Sequence, residues 1–413
     1  MAADAAEDKI AALLALQPQK VDLSLARIKR LLAVLGNPQQ HLPPIIHIAG
    51  TNGKGSAAAF CRAYLEAAGY SCHVHSSPHL VHWRERYRLG RKENGRVSSG
   101  FVSDTELAEV LEQITAANAD APITVFEILT AAAFVLFARH PADQAFLGDT
   151  ISKIAAEKAA IIKPNCPAVI GCQPEAAAEA VLCQAAEAAR AKLSLYGRDY
   201  QTAETEAGWQ FCRRNHAPLT LPMPALTGRF QTVNAAAAYA AVEAAGFTVS
   251  PAAAAQAMGK VYWPARLQRL TKGRLLTKIP PQAQLWLDGG HNPAAAAVLA
   301  AALPACIQNR PFYLICAMLE NKDSARWLQA LKPLRPHIIA IPLPGEGHQG
   351  RLPAELARLA TGQGLPANEA ANIAAALTQV KAETAAAAAP FILIGGSLYL
   401  AGAALAENGT APA

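Results

Sequence analysis

Charge is scarce in this chain: only 16% of its residues are Asp, Glu, Lys or Arg, against 52% hydrophobic ones. The basic residues never run beyond three or four, and the formal net charge is a modest +6. That balance excludes a disordered polyelectrolyte and fits an anionic small molecule better than a nucleic-acid footprint. Cysteine motifs are also missing. The eight cysteines, at 61, 72, 166, 172, 183, 212, 306 and 316, form no close C-x-x-C pair and no ligand-like spacing with histidine. They read as reduced, mostly buried cytosolic thiols. One uncharged stretch, 384–406, is long enough to cross a bilayer, but Pro390 and Gly395-Gly396 interrupt it, so strand, turn and buried helix are expected there. Met1 to Lys9 is small and acidic with no apolar core, which is not a signal peptide. These absences point to a soluble, cytoplasmic, globular protein, and 413 residues give room for two domains or three.

What is present is organised around residues 45–56. Ile45-Ile46-His47-Ile48 reads as a buried strand, and an Ala-rich helical segment begins at Ala57. Between them lies Gly50-Thr51-Asn52-Gly53-Lys54-Gly55-Ser56. Strand, glycine loop and helix together cradle phosphate: backbone N–H groups turn inward, the helix terminus adds partial positive charge, and lysine adds a full one. Ser56 is placed to offer its hydroxyl to a magnesium ion bridging the phosphates. The spacing is not that of the ordinary P-loop, because Gly55 separates Lys54 from the hydroxyl residue. The bland alternative is a tight turn.

Along the chain, helices are expected over 5–18 and from Val21 through Leu32, the latter capped by Asp22 or Ser24. Ser71 to His75 reads as a strand running into Ser76-Ser77-Pro78-His79, where Ser77 is either a ligand at the strand's C-terminal end or a helix cap. An acidic amphipathic helix covers 103–117, and Thr124-Val125-Phe126-Glu127 opens another. Glu127 either complements that helix's dipole or faces a ligand. A helix over 151–162 carries Glu157-Lys158, followed by a strand at 168–171, a helix over 175–193 and a meander over 195–224. Two helices follow Gly228, and Trp263 to Leu267 reads as a linker. Beyond it, apolar strands at 285–287, 312–316, 338–341 and 391–394 alternate with helices, implying a second α/β sheet.

These motifs together resemble the dihydrofolate synthase/folylpolyglutamate synthase family, relatives of the Mur ligases. The resemblance is carried by Asp22-Leu23-Ser24-Leu25, the loop 50–56, Ser76 to His79 with Glu85-Arg86, Phe126-Glu127 and Glu157-Lys158-Ala159. It continues with Gln231, Asn234-Ala235, Arg266-Leu267-Gln268, Asp288 to Pro293, Lys322-Asp323 and Gly395-Gly396-Ser397. It implies an N-terminal P-loop-type ATPase domain over 1–263 and a smaller Rossmann-like α/β domain over 264–413. It implies an ATP-dependent ligase that joins L-glutamate to dihydropteroate and to folates through an acyl phosphate, as a monomer, with no nucleic-acid or membrane partner. Its cofactors would be ATP and Mg²⁺, with K⁺ as a further ion.

By the same resemblance Gly50, Thr51, Asn52, Gly53, Lys54, Gly55 and Ser56 hold the ATP phosphates. Asn234, Arg266 and Asp288 contact the nucleotide from a cleft between domains. Asp22, Leu23, Ser24, Leu25, Phe126 and Glu127 border the pterin, and Ser56 and Ser77 ligate the metal. Lys54, Lys158 (carbamylated in the family) and His291 serve catalysis, though His291 can also be part of a helix-capping turn with Asn292-Pro293. For Lys322-Asp323 a solvated loop pair is an equal alternative. One departure matters. Roughly thirty residues that the family carries after the helix ending near Phe137 are absent at Arg139 to Phe146, about the size of one supersecondary unit. They include two central strands and the family's glutamate and histidine metal ligands. The expected consequence is a sheet short of two interior strands and a metal site reduced to two hydroxyls. The alternatives are therefore a catalytically impaired family member and, more remotely, an unrelated P-loop kinase or NTPase.

Overall fold

The computed structural model describes residues 24–148, 158–345, 349–384 and 389–412. The expected helix over 5–18, Asp22, Leu23 and most of 151–162 lie outside them. The chain divides into two units, one made of residues to Met223 with Thr232–Val261, the other of Pro224–Gln231 with Tyr262–Pro412.

In the first unit, β1 (Ile45–Ile48), β2 (Cys72–His75), β3 (Tyr87–Glu93), β4 (Arg96–Phe101) and β5 (Gln144–Gly148) form a sheet in the order β1-β5-β2-β3-β4. β5 runs parallel to both β1 and β2, and β3 and β4 are antiparallel additions. The short run Gln144 to Gly148 thus occupies an interior position, so the sheet is less depleted than the missing segment implied. Directly after the α4 helix these residues supply the extended apolar backbone that two flanking strands require. Among the described residues β1 has a strand partner on one side only, and Ile45 is 43% exposed.

One core of this unit lies between the sheet and helices α1 (Ala26–Val34), α3 (Asp104–Asn118) and α4 (Val125–Arg139), built on Leu31, Leu107, Leu111, Ile128, Leu136 and Phe137. Ser103 and Thr124 cap α3 and α4 by accepting N–H bonds from Glu106 and Glu127. Helix α2 (Lys54–Ala67) follows β1 and buries Phe60, Tyr64 and Leu65. The remainder comprises a parallel pair, β6 (Ala168–Ile170) and β7 (Leu193–Leu195), and a meander of β8 (Tyr200–Thr205), β9 (Gly208–Arg213) and β10 (Leu219–Leu221). Helices α5 (Ala176–Ala188), α6 (Phe230–Ala244) and α7 (Pro251–Lys260) complete it. The helix expected over 175–193 stops short because Arg190 turns left-handed (φ 52°) and β7 follows.

The second unit is a six-stranded sheet of β11 (Gln268–Leu270), β12 (Gln284–Leu287), β13 (Phe312–Cys316), β14 (His337–Ala340), β15 (Ala367–Glu369) and β16 (Phe391–Gly395). Its order is β11-β12-β16-β13-β14-β15, parallel except for β11. β13 and β16 are buried at every residue. That is why they read as unbroken apolar runs, the pattern of strands covered on both faces. Helices α8 (Pro293–Ala302), α9 (Ser324–Leu331), α10 (Pro353–Gly362), α11 (Ile373–Glu383) and α12 (Leu398–Asn408) are the principal helices of the unit. Among the described residues no helix is long and apolar enough to cross a membrane.

Candidate functional site

The loop leaving β1 has the geometry its sequence calls for. Gly53 adopts φ +79° as the N-cap of α2, which starts at Lys54. A Cβ on Gly53 would stand 2.7 Å from Asn234 Oδ1, so the bare glycine lets α6 approach the loop. Lys54 folds back and its Nζ donates to the Gly50 carbonyl at 2.7 Å. Thr51 and Asn52 are exposed, Gly50, Gly53 and Gly55 are half-buried, and Ser56 is buried in the first turn of α2. The arrangement is a compact cationic loop on a helix N-terminus, fit for a polyphosphate.

Beyond the end of β2, the Ser77 hydroxyl is buried with no hydrogen-bond partner among the described residues. The segment behind it is firmly built. Glu85 accepts N–H bonds from Leu80, Val81 and His82 at 2.7–3.0 Å. Arg86 Nε donates to His79 Nδ1 at 2.9 Å, and its guanidinium lies 4.6 Å from the centre of the Trp83 ring. Burial, then the positive charge of Arg86 and the neighbouring His82, pull His79 down to about 3, so its ring stays neutral. Glu85-Arg86 was legible as a motif, but this network was not, since its geometry depends on a loop the sequence leaves open.

The described residues offer a divalent cation few protein donors. The described residues contain no cluster of three His, Cys, Asp or Glu side chains able to hold one. The orphaned Ser77 hydroxyl and the buried Ser56 are neutral oxygen donors. Neutral hydroxyls of this kind suit an ion carried in by nucleotide phosphates and completed by water better than one held in a protein cage.

Glu127 caps its helix and pairs across to α1. Its Oε2 accepts from Thr124 N (2.9 Å), Thr124 Oγ1 (2.8 Å) and Arg27 Nε (3.0 Å), closing a capping box and tying α4 to α1. Burial pushes its carboxyl up, but these hydrogen bonds and the Arg27 charge prevail and hold it below the usual range. Phe126 beside it is 45% exposed and Leu25 63%, two uncovered apolar side chains. Leu25 itself is the N-cap of α1, and Ser24 Oγ sits at 3.4 Å from Ala26 N. Lys158 is half-buried in a helical turn at the edge of the described residues.

In the second unit, residues 263–267 are not a free linker: Ala265 and Leu267 are buried and both have left-handed backbones, φ 54° and 42°. Asp288, at the end of β12, accepts N–H bonds from Leu267 (2.8 Å) and Gly290 (2.7 Å). Burial pushes its carboxyl up and the Arg266 guanidinium down, each opposed by the other's charge. His291 Nδ1 lies 3.1 Å from the Gly289 carbonyl, and Asn292 caps α8 through Ala295 N. Trp327 Nε1 donates to Gly290 O, fixing the turn from the other side. Asp323 caps α9 through Arg326 N, which accounts for that residue structurally. None of the cysteines is in a disulfide; three are buried, three half-buried, and Cys166 and Cys172 are exposed, a less buried set than expected.

No protein-family model matches the chain. It is 28% identical over 362 residues, 80% of each chain, to the dihydrofolate synthase/folylpolyglutamate synthase of Escherichia coli. The solved structure of E. coli FolC in complex with DHPP and ADP superposes with a TM-score of 0.83 at 26% identity, covering 98% of both chains. That of the bifunctional folylpolyglutamate synthase/dihydrofolate synthase of Yersinia pestis, complexed with AMPPNP and Mn ion, gives 0.81 at 25% identity over 97% of each chain.

Proposed function

The chain belongs to the dihydrofolate synthase/folylpolyglutamate synthase family of ATP-dependent ligases, a branch of the Mur ligases, and from that premise we propose that it joins L-glutamate to dihydropteroate and to folates. The observation that carries this reading is the loop from Gly50 to Ser56, with Gly53 left-handed at the head of α2 and Lys54 folded over it.

The reaction has two displacements. A substrate carboxylate oxygen attacks the γ-phosphorus of ATP; the new O–P bond forms as the bond to ADP breaks, giving an acyl phosphate. The glutamate amine then attacks the acyl carbon; the C–N bond forms, the C–O bond breaks with its electron pair leaving on inorganic phosphate, and the nitrogen gives up a proton to leave the amide. Phosphoryl transfer needs alignment and charge neutralisation above all. Lys54 neutralises the transferring phosphate, and the α2 backbone amides hold its neighbours. Asn234, Arg266 and Asp288 serve the nucleotide, and Ser24, Leu25, Phe126 and Glu127, with Asp22 and Leu23, frame the pterin. His291 serves the γ-phosphate or the incoming glutamate. Magnesium, with Ser56 and Ser77 as its protein donors, would supply further charge neutralisation when bound. Lys158, carbamylated, would add a carboxylate-like support to that site. The protein works as a monomer in the cytoplasm. Residues 1–263 serve ATP and folate, and residues 264–413 serve glutamate.

The test is ADP release by the purified chain with Mg-ATP, dihydropteroate and L-glutamate, each omitted in turn. Release requiring all three is expected; release indifferent to pterin and glutamate would sink the folate reading. The sparse donor set among the described residues supports a second reading, an impaired ligase that binds nucleotide without turnover. Binding without release from a folded sample would decide for it.

A further inference from the structure

The loop from Ser76 to Arg86 joins β2 to β3 and is tied across its own width. At its base Ser76 N–H donates to the Arg86 carbonyl at 3.0 Å, and His75 Nδ1 lies 3.0 Å from the same oxygen. Three successive amides then converge on one side chain. Leu80 N–H donates to Glu85 Oε2 at 2.8 Å, and Val81 and His82 N–H donate to Oε1 at 3.0 and 2.7 Å. Glu85 is 8% exposed, so these charge-assisted bonds meet little competition from water.

Ser77 falls inside the span these ties enclose. Ser76 on one side is held by the Arg86 carbonyl and Leu80 on the other by the Glu85 carboxylate. Only residues 77–79 lie between those two fixed points, which themselves sit on neighbouring residues. Within the span His79 accepts from Arg86 Nε at 2.9 Å, and its ring packs 4.3 Å from the centre of the Trp83 ring. The Ser77 hydroxyl, buried with no partner among the described residues, is thus carried on a short backbone with little freedom to turn away. A donor already in place binds a cation more tightly, because the groups behind it fix its direction and spare the cost of ordering it.

Resting on the reading of Ser77 as a donor to the nucleotide-borne metal, we propose that Glu85 is a positioning residue that acts through the Leu80–His82 backbone, holding the Ser77 hydroxyl where that metal meets it. The carboxylate supplies two oxygens to three amides. Glu85→Gln keeps the size but leaves one oxygen. That oxygen can retain Val81 and His82, which sets an NH₂ against the Leu80 N–H, the tie nearest Ser77. The substitution therefore loosens Ser77 and leaves the phosphate loop at 50–56 untouched.

The experiment uses the full chain in excess over a non-hydrolysable ATP analogue and reads Mn²⁺ affinity from the electron paramagnetic resonance signal of the free ion. S77A is expected to weaken Mn²⁺ binding about tenfold, E85Q about three- to tenfold, and the double variant to match S77A within about twofold. E85Q should keep a single cooperative melting transition and its metal-free affinity for the analogue. No loss of Mn²⁺ affinity in E85Q beside a loss in S77A, or losses that multiply in the double variant, overturns the proposal alone. If S77A leaves Mn²⁺ binding intact, or the wild type takes up no analogue, the reading beneath the proposal fails and takes it along. Amide hydrogen exchange gives a readout independent of ligand: Leu80, Val81 and His82 should be protected in the wild type, and Leu80 should lose protection in E85Q. Unprotected amides in the wild type, or unchanged protection of Leu80 in E85Q, overturn the hold. Should E85Q not fold, E85D, whose shorter side chain reaches fewer of the three amides, takes its place in the same comparisons.

Discussion

Glycine stands at both ends of α2, and the two positions separate backbone strain from steric contact. Gly53 at the N-cap has φ +79° and Gly69 beyond the C-terminus has φ +85°, so an alanine at either costs about 1–2 kcal/mol in left-handed backbone. Around Gly69 an added Cβ meets nothing within 4 Å, whereas at Gly53 it would stand 2.7 Å from Asn234 Oδ1, well inside contact distance. G53A must therefore also displace the Asn234 side chain, losing on the order of 1 kcal/mol in hydrogen bonding and packing. Urea unfolding should show G69A destabilised by about 1–2 kcal/mol and G53A by about 1 kcal/mol more. Adding N234A to G53A should recover that increment, since the colliding group is gone. Equal costs at the two ends, or no recovery in the double variant, would refute the claim that Gly53 is required by the approach of Asn234.

Other perturbations read different parts of the molecule. Gln144, at 0% exposure in β5, has both side-chain polar atoms unpartnered among the described residues, so Gln144→Met should stabilise by about 1 kcal/mol in urea unfolding; a loss would mean the amide has a partner. Glu127, held below the usual carboxylate range by Thr124 and Arg27, adds stability that is complete above its unfolded pKa and lost as pH falls through its lowered folded value. E127Q should thus cost about 1–2 kcal/mol at neutral pH and little in acid, checked by urea midpoints at both. A thiol reagent should modify Cys166 and Cys172 in the native protein and spare Cys61, Cys72 and Cys316 until unfolding, read by mass spectrometry. Burial pushes Cys316 up to about 12, which withholds its thiolate as well as its access.

The phosphate loop was legible because glycine, lysine and helix onset are all local. So were the buried strands β13 and β16, whose unbroken apolar runs need no partner to be read. The β3–β4 hairpin was missed although Asn94-Gly95, with φ of 50° and 75°, is the strongest short hairpin signal there is. Glu127 shows what a local reading leaves out: a first-turn glutamate reads alike as cap or ligand, and its partner Arg27 lies one hundred positions away. The 263–267 stretch looked like a linker because Pro and Trp interrupt periodicity; Ala265 and Leu267 are nevertheless buried, and Leu267 is tied to Asp288, twenty-one positions away, which no local pattern announces. Residue 77 gave only a hydroxyl at a strand's end, and its lack of a partner among the described residues is a property of the surrounding loop.

The strand order β1-β5-β2 also sets a timetable for synthesis. β1 and β2 are complete by His75, yet the strand that must lie between them ends at Gly148, about seventy residues later. At about 5–20 residues per second the ribosome needs several seconds to deliver it. Throughout that interval the nascent chain carries two strands whose facing edges lack the mate they have in the fold, and helices α3 and α4 emerge before the sheet they cover can close. Pairing β1 with β2 directly would be the nearest wrong solution, and undoing it would require opening a formed ladder. Those seconds on the ribosome, more than any step after release, are when this chain depends on being kept from its own edges.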